Sequence, residues 1–151
     1  MRWLKSISYY AMVEGVMRLI ALFLLLAGSA SAMDRLNALS MLESGENDHM
    51  IGTSGEVSRY QVRISVWKSV TASRQFTRPE VARFVASTVM EKRVHAFTAA
   101  YGRPPTDFEY YALWNAPAQI MSHNVSRVVA DRCRRFSNLC AVQSTALAMN
   151  K

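Results

Sequence analysis

Glu43 is the residue best placed by its neighbours to move a proton. It ends a segment whose apolar residues, Leu36, Leu39, Met41 and Leu42, recur at helical spacing. Ser44-Gly45 follows at once and is a helix stop signal. A carboxylate at that end faces the negative pole of the helix dipole, which disfavours its ionised form. Partial burial in a cleft acts in the same direction. A carboxyl group that keeps its proton near neutral pH can donate it to a leaving oxygen. The other chemistry-bearing residue types form no such pattern. His49, His95 and His123 lie far apart, with no partner at metal-ligand spacing. No glycine-rich phosphate loop occurs, and no serine sits in a nucleophile elbow. Arg132, Arg134 and Arg135 cluster on one helical turn, which reads as a solvated face.

The elements that must hold Glu43 are mostly helical. Asp34 can cap the helix that carries it. Residues 46–62 are rich in Gly, Ser, Thr and Asn, and Val57, Tyr60 and Val62 suit short strands, so a loop with a small β-hairpin is expected. Ile64 to Val70 reads as a short helix. Thr77-Arg78-Pro79-Glu80 has the pattern of a capping box with proline in the first turn. The helix it opens carries Val81, Phe84, Val85, Thr88 and Val89 and runs to Tyr101, stopping at Gly102. Thr106 to Glu109 repeats the capping pattern before a helix with Phe108, Tyr111, Ala112 and Trp114, and Pro117 ends or kinks it. A last long amphipathic helix carries Val125, Val128, Val129, Cys133 and Phe136. Cys133 and Cys140 are too far apart for a disulfide on a continuous helix, whereas a break at Ser137-Asn138 would permit one.

Leu19 to Ala27 is an unbroken apolar run, too short to span a bilayer. Arg18 precedes it and Ala30-Ser31-Ala32 follows, the pattern of a secretory signal peptide cleaved after Ala32. Met17-Arg18 would by itself begin a complete signal, so Met17 is a candidate start. Residues 33–151 then form a single domain. The chain has 151 residues and a net charge of +7, and beyond Ala32 it keeps 15 Lys and Arg against 10 Asp and Glu. An exported basic protein meets anionic cell-surface polymers before nucleic acid. No stable membrane span is expected after cleavage, and the chain is expected to be a monomer.

The stretch from Glu43 to Val62, ESGENDHMIGTSGEVSRYQV, resembles the glutamate motif of the soluble lytic transglycosylases, relatives of goose-type lysozyme. That family has Glu-Ser and then, at a fixed distance, Gly-Ala-x-Gly-Leu-Met-Gln. Here Glu43-Ser44 is followed in register by Gly55-Glu56-Val57-Ser58-Arg59-Tyr60-Gln61. A second family motif, Ala-Tyr-Asn-Ala-Gly, is similar to Leu113-Trp114-Asn115-Ala116-Pro117, in the same order along the chain. This chain departs from the motifs at Gly52, where many members have serine, and at Glu56, Ser58, Arg59, Tyr60 and Trp114.

The resemblance implies an α+β lysozyme-like fold, mainly helical, with one small hairpin beside the active-site cleft. It implies that Glu43 is general acid and then base in cutting peptidoglycan strands, without a metal or cofactor. Tyr60, Gln61 and Asn115 would line the sugar groove, Trp114 would lie beside Glu43, and Ser44 would cap the helix end. Trp114 stands where the family has a tyrosine whose hydroxyl lies near the acid. Tyr111, three residues earlier on the same helical face, is the candidate to supply that hydroxyl. Closure of the muramic 6-hydroxyl onto C1 would give 1,6-anhydro products. Glu56, a possible second carboxylate, would instead activate water and make the enzyme a hydrolytic lysozyme. The altered groove residues also leave open a catalytically weak wall-binding protein.

Overall fold

The computed structural model describes residues 35–149, with side chains described as far as residue 142. The signal peptide, the start at Met17 and the Asp34 cap lie outside the described residues. Asp34–Lys151 forms one compact unit. The described residues are mainly helical, as the periodicity predicts. Helix α1 occupies residues 35–44, α2 Ile64–Val70, α3 Pro79–Tyr101, α4 Asp107–Asn115, α5 Pro117–Met121 and α6 Arg127–Met149. None of the described helices is long and apolar enough to cross a membrane.

Helix α1 stops where the sequence says it should. Gly45 and Glu46 both take left-handed backbone, and their N–H groups return to the carbonyls of Met41 and Ser40. That closes the helix end and turns the chain away just after Glu43. The following segment does not form a β-hairpin. It makes two isolated antiparallel bridges, Ile51 with Val57 and Val57 with Val62. The reason is local: Gly55, Ser58 and Gln61 all have positive φ, so the backbone turns before a ladder can extend. Side chains tie the loop instead. Arg59 grips Asp48 with two hydrogen bonds of 2.6 Å. Ser44 Oγ donates to the Arg59 carbonyl at 2.8 Å and accepts from the Asn47 N–H at 3.0 Å. Ser44 therefore fastens the helix end to the loop.

Helix α3 begins differently from the sequence expectation. Arg78, not Thr77, is its N-cap, in extended conformation and without a side-chain cap bond. Glu80 pairs with Arg78 instead of closing a capping box. Pro79 is the first helical residue and Gly102, at φ +69°, ends the helix as expected. The buried stripe is Ala82, Val85, Ala86, Val89, Met90 and Phe97, while Phe84 is exposed. Helix α4 has the capping box predicted for Thr106 and Glu109, with both reciprocal bonds present. It is the central helix, packed against α3, α5 and α6, and so it buries Tyr110, Tyr111, Ala112 and Leu113 in succession. Arg35 of α1 reaches it too, at 2.8 Å from Asp107 and over the Tyr110 ring.

Helix α6 runs unbroken through Ser137 and Asn138. Val129, Cys133, Phe136 and Cys140 form its buried stripe, whereas Val128 is exposed and Val125 precedes the helix. The break that a disulfide needed is absent. At 1.5 Å per residue the Cα atoms of Cys133 and Cys140 are roughly 10.5 Å apart, beyond disulfide reach. Both are buried thiols of the core.

Candidate functional site

The end of α1, the loop 50–63, the end of α4 and one face of α6 surround a cleft of about 540 Å³. Glu43, Glu56, Gln61, Trp114 and Asn115 all line it. Residues separated by as many as 72 positions thus share one cleft.

Glu43 is half-buried, and the Tyr111 hydroxyl donates to its Oε1 at 2.8 Å. Burial raises the Glu43 pKa above its ordinary value; the Tyr111 hydrogen bond and the Arg132 charge pull it down, and Glu56 pushes it up. Desolvation is the largest of these effects, so the net direction is upward. Tyr111 is itself fully buried. Its ring lies 5.4 Å from Phe136 of α6, which fixes the hydroxyl from behind. Burial, with the Glu43 carboxyl beside it, pushes the phenol pKa far up, so Tyr111 stays a neutral donor.

Gln61 keeps two functions at once. Its amide nitrogen donates to the carbonyls of Ser58, at 3.0 Å, and Met50, at 3.3 Å. The same side chain faces the cleft. Glu56 folds back on its own turn, accepting from the Ser54 N–H at 3.1 Å, and also faces the cleft. Gly52 lies beneath both. A Cβ there would come within 2.4 Å of the Glu56 carboxylate and 2.6 Å of the Gln61 amide oxygen. A serine at this position could not fit unless those side chains moved.

Tyr60 is not part of the site. It is 1% exposed and packs in the hydrophobic core. Left-handed Ser58 and Gln61 turn the backbone around it, and the groove role that the resemblance implied for Tyr60 gives way to core packing. Arg59 likewise is committed to Asp48.

Two arginines enter the site without having been singled out for it. Arg132 lies on the edge of α6 beside the buried stripe, lines the cleft and acts electrostatically on Glu43. Its position one residue before the buried Cys133 was the only available signal. Arg93 of α3 also lines the cleft, and its Nη1 donates to the carbonyls of Leu113 and Trp114, each at 2.7 Å. Its guanidinium carbon lies 5.8 Å from the centre of the Trp114 ring. Burial lowers the Arg93 pKa. Among the described residues, no carboxylate forms a salt bridge with Arg63, Arg93 or Arg132, the three arginines around the cleft.

The site can therefore present a carboxylic acid, oriented by a neutral phenol, inside a groove with amide, indole and guanidinium walls. No family model, curated protein or solved structure matches the chain.

Proposed function

We propose that the protein is a lytic transglycosylase of lysozyme-like fold, exported by its N-terminal leader and acting on peptidoglycan. The observation that carries this reading is the Tyr111 hydroxyl on the Glu43 carboxyl at 2.8 Å, in the cleft that also holds Gln61 and Asn115. The loop between Glu43 and Gln61 adds support. Gly55 and Ser58 occupy the two motif positions where the family has glycine, and both take left-handed backbone, which favours glycine. The short bridged segment 51–62 would stand in place of the family's hairpin.

In this reading Glu43, kept protonated by burial, gives its proton to the oxygen joining N-acetylmuramic acid to N-acetylglucosamine. The bond to C1 breaks and positive charge develops on the sugar ring. The resulting Glu43 carboxylate then takes the proton of the muramic 6-hydroxyl as that oxygen closes onto C1. Tyr111 stabilises the carboxylate between the two transfers. One essential acid is sufficient, and the product ends in a 1,6-anhydro sugar. The test is zymography on peptidoglycan with the wild-type chain and Glu43→Gln, followed by mass spectrometry of the released sugars. Lysis by wild type, none by Glu43→Gln, and anhydro ends are expected. Equal digestion by both proteins refutes the reading.

Glu56 favours a second reading, hydrolysis. It shares the cleft, near enough to raise the Glu43 pKa. A carboxylate so placed can activate water, as in glycosidases that use two acids. Products with reducing ends, together with a crippled Glu56→Gln, would assign the protein to the lysozymes.

A further inference from the structure

The wall of the cleft that carries Trp114 and Asn115 is built at a discontinuity between two helices. Helix α4 ends at Asn115, Ala116 leaves the helical region at φ −144° and ψ 62°, and α5 begins at Pro117. In a continuing helix the Leu113 carbonyl would accept from the N–H of residue 117. That residue is proline and has no N–H. The Leu113 and Trp114 carbonyls therefore lie at the negative end of α4 and need an outside donor. Arg93 Nη1 supplies it to both, at 2.7 Å each, from the neighbouring helix α3. The guanidinium also lies over the Trp114 ring and itself borders the cleft.

We infer that Arg93 is a positioning residue for the reaction: by capping the end of α4 that Pro117 leaves without a donor, it fixes Trp114 and Asn115 in the substrate groove. The inference rests on the proposed glycosidic cleavage, since it is the sugar that Asn115 and Trp114 would hold. Arg93 is half-buried and gives one Nη to two carbonyls of this helix end. That end carries Trp114 and Asn115, which line the same cleft as Glu43. Lysine cannot reproduce it, because an ammonium lacks the planar fork and the stacking surface.

The experiment measures kcat and KM of the full chain on peptidoglycan for wild type, Arg93→Lys, Arg93→Met, Asn115→Ala and the Arg93→Lys/Asn115→Ala double variant. Circular dichroism confirms the fold of each. Misplacing a groove wall by about 1 Å can cost on the order of 10²-fold in rate. Arg93→Met is expected to lower kcat about 10- to 100-fold, and Arg93→Lys to restore part of it. If Arg93 acts through the α4 end, the losses are less than multiplicative: the double variant falls below Asn115→Ala by a smaller factor than Arg93→Lys falls below wild type. A merely structural arginine would instead multiply the two losses. Wild-type kcat in Arg93→Lys, or fully multiplicative losses, overturns the inference while leaving the proposed function intact. If Arg93→Met does not fold, Arg93→Lys and the double variant decide alone. A wild-type chain inert on peptidoglycan overturns the proposed function, and with it the inference.

Discussion

Replacing Glu43 by glutamine should make the protein more stable at neutral pH while removing the proposed activity. The Glu43 pKa in the fold lies above its ordinary value of 4.5, chiefly because burial disfavours the charged form. From pH 4.5 upward the unfolded chain gives up this proton before the folded chain does. In that window the folded state holds more protons, so stability falls as pH rises, until the folded-state pKa is passed. Glutamine is nearly isosteric and never ionises. Its amide oxygen can accept the same Tyr111 hydrogen bond that Glu43 Oε1 accepts at 2.8 Å. Arg132 would lose a favourable partner, which offsets part of the gain. Single stabilising substitutions are commonly worth about 0.5–2 kcal/mol. A gain near 1 kcal/mol corresponds to a rise of roughly 3–6 °C in Tm for a domain of this size. The assay is thermal unfolding of both proteins by circular dichroism at pH 4 and pH 7.5. The gain should be present at pH 7.5 and small at pH 4, where both side chains are neutral. A less stable Glu43→Gln at pH 7.5, or equal differences at both pH values, would refute a buried, proton-holding acid.

Tyr111→Phe keeps the ring against Phe136 but removes the donor to Glu43, so the alkaline limb of the pH–rate profile should move to higher pH with activity reduced about tenfold or more. An unchanged profile would show that the hydroxyl does not act on Glu43. Glu109 is held down to about 2 by Arg103, with the Thr106 N–H and hydroxyl adding to it. Its stabilisation is full above pH 4.5 and is lost as pH falls through about 2, so Glu109→Ala should cost about 1 kcal/mol at pH 7 and clearly less at pH 2, read by urea unfolding. Burial pushes the Cys133 thiol up to about 11, so alkylation at pH 8 should be slow in the native protein, and denaturation should release two reactive thiols per chain.

Local signals were readable where the chemistry was local. The Gly102 stop and the Thr106–Glu109 box need only neighbours in sequence, and both formed. Thr77 resembled the same box, but Arg78 took the cap position and Glu80 answered to Arg78. Glu43, Gln61 and Asn115 line one cleft, a juxtaposition that helical periodicity alone does not predict. Tyr60 departs from the groove role that the resemblance implies: the left-handed turns at Ser58 and Gln61 set the backbone around it, and its ring is buried in the core. Arg93 gave no local sign at all. Its role depends on a missing N–H at Pro117, twenty-four residues away and on another element. A break at Ser137-Asn138 seemed natural from residue type, yet Phe136 and Cys140 flank those polar residues and bury the same stripe. Packing on either side carried the helix through.

The Phe136 ring against Tyr111 ties the site to the last helix of the chain. Glu43, the loop to Gln61 and the α4 end all precede residue 118 in the chain, but the surface on which Tyr111 rests belongs to α6. A chain emerging from its N-terminus would carry its acid early and the setting for that acid last. Nascent or clipped molecules lacking the final helix would hold a glutamate with no fixed phenol beside it. The Glu43–Tyr111 pair would therefore gain its support from α6 only when the end of the chain docks.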